Sequence, residues 1–115
     1  MKHAGSCHCG RIAFEVEGNI ESALSCNCSI CQRKGSLLWF VPRDAFTLTT
    51  PESNATEYEF NKHRISHRFC PVCGIHTHGE GVDPKGNPMA AINLRCLEGV
   101  ELEKLQITPF DGRSL

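Results

Sequence analysis

Several features that would assign the chain to a broad class are missing from it. No stretch approaches the ~20 consecutive apolar residues of a membrane span. No apolar run follows the basic start Met1-Lys2-His3, so neither a transmembrane segment nor a secretory signal is expected. An excess of one charge is also lacking: 12 Lys and Arg stand against 13 Asp and Glu, for a formal net charge of −1. That balance supplies no general attraction to nucleic acid or to an anionic membrane. Basic residues do cluster as Gln32-Arg33-Lys34, Lys62-His63-Arg64 and Arg68. Without aromatic residues interleaved among them they make a poor nucleic-acid face, and a solvated surface is the expectation. There is no internal repeat and no low-complexity tract. No Ser-His-Asp set or paired carboxylate competes for a catalytic role.

At 115 residues the chain is expected to form one domain, 1–115, with no room for a second core. Domains of this size commonly lean on metals or disulfides for stability. A cytosolic location is expected, where reducing conditions leave thiols available for metal.

Thiols are what the chain has in quantity. Seven of its eight cysteines fall into three tight clusters: Cys7-His8-Cys9, then Cys26-Asn27-Cys28-Ser29-Ile30-Cys31, then Cys70-Pro71-Val72-Cys73-Gly74.

Short strands are expected around them. Arg11 to Glu17 alternates, with Ile12, Phe14 and Val16 on the apolar face. Glu21 to Ser25 reads as a strand delivering the middle cluster, and Ser29 to Lys34 as a helical turn stopped by Gly35. Leu37 to Val41 is apolar throughout and reads as a central strand covered on both faces. Phe46 to Thr49 adds a short strand, followed by a surface loop over 50–54. Thr56, Tyr58 and Phe60 form one alternating face, and Ile65, His67 and Phe69 another that runs into Cys70. Ile75 to Gly79 returns as the second arm of a hairpin. A turn over 83–88 precedes a strand from Met89 to Leu94, with Ala90, Ile92 and Leu94 on one face. The tail from Glu98 to Leu105 fits a short helix or an irregular strand. The fold class is mainly β, with short strands and metal-bearing turns.

Ligand arithmetic partitions the clusters. Zinc takes four ligands in a structural site and three protein ligands plus an open position in a reactive one. Cluster sizes of two, three and two close one four-ligand site only by joining the outer pairs. Cys7, Cys9, Cys70 and Cys73 are therefore expected to hold a structural zinc. Cys26, Cys28 and Cys31 are left to hold a second zinc with a vacancy, two ions per chain in all. The redox reading of Cys70-x-x-Cys73 needs a βαβ context that is absent. Cys96 is expected to be a buried structural thiol, and His67 a satisfied core histidine. His76 and His78 share one strand face, expected to be the exposed one. His8 is no ligand while both flanking thiols are present, and His3 and His63 have no context.

The sequence resembles the glutathione-dependent formaldehyde-activating enzyme family. The resemblance lies in Gly5-x-Cys7-x-Cys9-Gly10, in Cys26-Asn27-Cys28-Ser29-x-Cys31-x-x-x-Gly35, in Phe69-Cys70-x-x-Cys73-Gly74 and in Asn93-x-Arg95-Cys96-Leu97. It covers nearly the whole chain, which looks like a short member. The family implies a β-tent of folded-over sheets and a structural zinc on the first and last cysteine pairs. A second zinc on the triplet, reachable by a thiol such as glutathione, is implied as well. The implied reaction is reversible addition of the thiol to formaldehyde, a carbon–sulfur lyase chemistry giving S-hydroxymethylglutathione.

The leading expectation is thus a zinc enzyme acting on the adduct of a small thiol with formaldehyde or a related electrophile. No nucleic-acid or membrane partner is expected. Two rivals are a non-catalytic zinc module for a protein partner and a metal or redox sensor. Three thiolates bind metal more weakly than four and oxidise more easily, so the triplet can stand empty or disulfide-bonded.

Overall fold

The computed structural model describes residues 1–59 and 65–114. The alternation after Arg11 becomes a strand, Ala13–Glu17, whose Phe14 and Val16 are fully buried together with Ile12 just before it. Among the described residues the chain runs β1 (Lys2–Ser6), β2 (Ala13–Glu17), β3 (Ser22–Cys26), helix α1 (Ser29–Lys34) and β4 (Leu38–Pro42). It continues as β5 (Phe46–Leu48), β6 (Thr56–Tyr58), β7 (Ser66–Phe69), β8 (His76–Val82), β9 (Pro88–Asn93) and β10 (Gln106–Phe110). The protein is mainly β, as the pattern of short alternating segments implies.

Two sheets result. A small antiparallel sheet has the order β1-β2-β5, and a larger one the order β10-β3-β4-β9-β8-β7-β6. Every pairing is antiparallel except that of β10 with β3. Phe14, Val16 and Phe46 of the small sheet meet Ala23, Val41, Ala90 and Ile92 of the large one in the main core. A second, smaller cluster of Cys7, Ile12 and Cys70 lies under the thiol turns.

Several expectations shift. Leu38–Pro42 is central by pairing, between β3 and β9, but the face it shares among Leu38, Phe40 and Pro42 is covered only at Leu38; Phe40 is 50% exposed. Antiparallel sheets tolerate a solvated face, and this sheet has one. The described part of the Thr56 strand has no buried face at all, because β6 is an edge strand. Phe60 lies outside the described residues, as do Lys62, His63 and Arg64. The tail forms a 3-10 turn at Leu102–Lys104 and then β10, which pairs in parallel with β3. Cys96 closes a 3-10 turn rather than sharing a strand face with Ile92, and is only half-buried.

The largest correction concerns β8. His76 and His78 lie on the buried side of the sheet, His78 with no exposed surface. β8 is interior to the large sheet, and the His78 ring stacks on Phe46 with centroids 4.5 Å apart. Polar side chains are tolerated there because partners reach them. Ser36 Oγ meets His76 Nδ1 at 3.1 Å, and Thr77 Oγ1 meets His78 Nδ1 at 2.9 Å.

Candidate metal centres and the adjoining cleft

The two outer cysteine pairs sit on turns built alike. Cys7 N–H donates to Ile12 O at 3.0 Å, and Cys70 N–H donates to Ile75 O at 3.0 Å. Each turn needs a left-handed residue, supplied by Gly10 at φ 84° and Gly74 at φ 79°. Backbone N–H groups converge on the sulfurs, from Ile12 to Cys7 Sγ at 3.3 Å and from Cys73 to Cys70 Sγ at 3.4 Å.

The turns bring Cys7, Cys9, Cys70 and Cys73 together with all four sulfurs within 4.8 Å of one another. Cys7 Sγ is 3.8 Å from Cys9 Sγ, which is 3.6 Å from Cys70 Sγ. Four sulfurs at the ~2.3 Å zinc–sulfur distance define a tetrahedron with an edge of about 3.8 Å, so the donor set and its spacing fit a metal ion of that kind. N–H donation from Cys9, then from Ile75, draws Cys73 down to about 6, toward the thiolate that binds metal. The Arg11 N–H lowers Cys9, but burial and the neighbouring thiols outweigh it and push that group up to about 11.

Cys26, Cys28 and Cys31 form a second group, again within 4.8 Å. Cys26 ends β3, Cys28 is the N-cap of α1 and Cys31 lies inside the helix. Gly35, at φ 71°, closes the helix by donating its N–H to Cys31 O. Cys28 N–H donates to Cys26 Sγ at 3.4 Å. Burial raises Cys28, yet N–H donation from Cys31 and Ile30 leaves its thiol lowered. Burial pushes Cys31 up to about 12. Among the described residues this group has three candidate ligands where the other has four. All eight cysteines carry free thiols.

The C-terminal residues close over this second group. Asn27 N–H donates to Phe110 O at 3.1 Å, and Asn27 Nδ2 to Asp111 Oδ1 at 2.9 Å. Arg113 N–H returns a bond to Asn27 Oδ1 at 2.9 Å. Gly112 packs so closely that an added Cβ would stand 2.6 Å from Cys26 Sγ and 3.2 Å from Cys28 Cβ. Sequence reasoning missed this strap; its only sequence signal is the glycine.

A cleft of about 560 Å³ is lined by residues that neighbour both groups in sequence, while none of the seven clustered cysteines is in its lining. His8, Gly74 and Ile75 line it from the four-thiol turns, and Arg33 and Lys34 from α1, with Ser36, His76, Asn93, Arg95 and Cys96 beyond. Its lining holds three basic side chains, Arg33, Lys34 and Arg95, and among the described residues no carboxylate. Asn93 Nδ2 donates to His76 O at 2.8 Å, which holds the floor of the cleft to β8. Lys34 Nζ lies 3.3 Å from both His67 Nδ1 and His76 Nε2. Burial, then the Lys34 charge, lowers His67 to about 4 and His76 to about 3, so both imidazoles are neutral acceptors. His67 is thus the core histidine expected of it, whereas Lys34 belongs to the site and not to a solvated face. Cys96 Sγ is 3.5 Å from Asn93 Nδ2 and 3.6 Å from His76 O. His8 is exposed, and His3 packs edge-on against Trp39 with its Nε2 3.1 Å from Gly18 O.

No helix among the described residues is long and apolar enough to cross a membrane. A crystal structure of a Rhodobacter sphaeroides protein matches this fold with a TM-score of 0.78 and 32% sequence identity, covering 94% of this chain and all of that one. The family model described as glutathione-dependent formaldehyde-activating enzyme matches residues 2–109. With that match extending over nearly its full length and through all three cysteine clusters, the chain belongs to the glutathione-dependent formaldehyde-activating enzyme family.

Proposed function

We propose that the protein is a zinc-dependent carbon–sulfur lyase that adds a small thiol, glutathione or a close relative, reversibly to formaldehyde. In this reading Cys7, Cys9, Cys70 and Cys73 hold a structural zinc, and Cys26, Cys28 and Cys31 hold the reactive one. The observation that carries the proposal is the three-thiol group, whose helix α1 also supplies Arg33 and Lys34 to a cleft lined by basic side chains and, among the described residues, by no carboxylate. When bound there, zinc supplies a Lewis acid and keeps a coordinated thiol ionised at neutral pH.

The protein's own groups do the rest. Arg33 and Arg95 face a substrate that carries carboxylates; both are tethered, Arg33 Nη1 donating to Ser29 O at 2.9 Å and Arg95 Nε to Gly35 O at 3.2 Å. Glutathione bears two carboxylates and one ammonium, which suits a cleft without acidic residues. N–H donors on Cys26 and Cys28 offset the charge of clustered thiolates. In the forward direction the thiolate sulfur forms a bond to the formaldehyde carbon. The carbonyl π pair moves to oxygen, and the oxygen takes a proton. A reducing compartment such as the cytosol suits a site that works through free thiols.

Exchange spectroscopy by NMR tests the proposal with purified protein, labelled formaldehyde and glutathione. Interconversion of formaldehyde hydrate and S-hydroxymethylglutathione is expected to speed up with wild type and not with Cys28→Ser. An exchange rate equal to the protein-free rate, for glutathione and for small neutral thiols alike, would refute it.

A further inference from the structure

Lys34 is an unusual cation for this chain. It lies in the last turn of α1, three residues after Cys31, and i,i+3 neighbours share a helix face. Its side chain is turned inward and half-buried, yet among the described residues it makes no ion pair with a carboxylate. A charge withdrawn from water in this way is costly unless it is compensated. What compensates it is two imidazoles, at 3.3 Å each. Ser36 Oγ, at 3.1 Å from His76 Nδ1, takes the proton of that ring and leaves Nε2 as the acceptor facing Lys34.

An ammonium has three N–H donors. Two are committed to His67 and His76, and among the described residues the third has no protein partner. Lys34 also lines the cleft, so that donor is available to a bound molecule. Burial lowers the Lys34 ammonium, and the charges of Cys31, Cys28 and Cys26 act on it in the opposite sense.

We infer that Lys34 is the catalytic residue on the oxygen side of the reaction, donating its third hydrogen bond, and then its proton, to the formaldehyde oxygen. The inference rests on the triplet being the thiol site. As the C–S bond forms, the carbonyl π pair becomes an oxygen lone pair, and that oxygen takes a proton from Lys34 Nζ. The neutral amine regains, through water in the cleft, the proton that the thiol gave up on ionising. Thiol and formaldehyde thus give the hydroxymethyl thioether with no further reactant. In reverse the amine takes the hydroxyl proton as the C–S bond breaks.

The rival role for Lys34 is a plain counter-charge to the thiolates. Two substitutions separate them, since arginine keeps the charge but does not release a proton near neutral pH. Lys34→Met is expected to lose at least ~100-fold in exchange rate, in line with the loss of a general acid, with metal content and melting temperature unchanged. Lys34→Arg is expected to restore neither the proton step nor the rate. Full rescue by arginine, or a Lys34→Met rate equal to wild type, overturns the inference.

Binding supplies a readout free of turnover. By calorimetry Lys34→Met is expected to weaken glutathione sulfonate, which presents oxygens at the sulfur position, at least ~10-fold. S-methylglutathione, which has none there, should change less than ~2-fold. Equal effects on both ligands, or no binding of either to wild type, overturn the assignment of Lys34 to the oxygen. A wild type that discriminates between these ligands but accelerates no exchange would refute the lyase reading and leave the Lys34 contact standing.

Discussion

Cys9 Sγ and Cys70 Sγ stand 3.6 Å apart across a sequence separation of 61 residues. They join the turn that follows β1 to the turn that links β7 with β8, and so tie the small sheet to the large one. Structural zinc in peptide sites is worth about 10–16 kcal/mol, comparable to the whole stability of a domain at about 5–15 kcal/mol. Cys73→Ser is therefore expected to abolish cooperative folding, and Cys28→Ser to keep it. Circular dichroism melts of the two variants check this; a folded Cys73→Ser beside an unfolded Cys28→Ser would invert the roles assigned to the clusters.

The strap over the triplet leaves no space at Gly112. A methyl group there would meet Cys26 Sγ at 2.6 Å, well inside van der Waals contact. Gly112→Ala should displace the strap or the thiol at a cost of about 1–3 kcal/mol, read as roughly a fivefold or greater loss of zinc affinity at the triplet. Chelator competition on the variant would show one weakened ion and one unchanged. Two unchanged ions would mean that the strap does not constrain the site.

Glu80 gives a pH dependence. Its carboxyl is lowered to about 2, first by His78 and then by Arg43, whose Nε lies 2.7 Å from Oε1. His78 Nε2 and Glu80 Oε2 face each other at 3.6 Å, too far for a hydrogen bond, so that contact acts through charge and dipole. A carboxyl depressed in the folded state contributes stability that is present above its unfolded value near 4.5 and lost as pH falls toward 2. Glu80→Gln should thus be destabilised relative to wild type by about 1.5–3 kcal/mol at neutral pH, with the gap closing between pH 4.5 and 2. Denaturant melts across that range measure it, and a gap independent of pH would exclude Glu80 as the cause.

Substrate charge should be read at Arg95. Arg95 lines the cleft, and among the described residues its guanidinium hydrogen-bonds to Gly35 O. Arg95→Gln is expected to raise KM for glutathione up to ~5-fold, within the ~1 kcal/mol of an exposed charge contact, and to leave KM for 2-mercaptoethanol unchanged. Steady-state kinetics with both thiols decides; equal effects would separate the cleft from carboxylate recognition.

The cysteine grouping was legible in the sequence because ligand counting is a discrete constraint: the outer pairs make four and the triplet cannot. The Ile12, Phe14 and Val16 face was legible because period-2 alternation survives wherever one side of a strand is buried. The same alternation misplaced His76 and His78, since it fixes that they share a face but not which face; burial followed from Ser36, Lys34 and Phe46, distant in sequence. β1 and β10 carry no periodic signal, for both lie at sheet edges where propensity and pattern are weak. The strap and the Lys34 contacts depend on pairings such as Asn27 with Asp111 and Lys34 with His76, which no local rule announces.

The account's central claim, two metal sites of unequal closure, is tested most directly by anomalous diffraction at the zinc edge from crystals of the metal-loaded protein. It predicts two peaks per chain, one among Cys7, Cys9, Cys70 and Cys73 with four sulfur ligands, and one among Cys26, Cys28 and Cys31 with three sulfurs and a non-protein fourth ligand. A single peak confined to the four-thiol group, or a fourth protein ligand on the triplet, would contradict it.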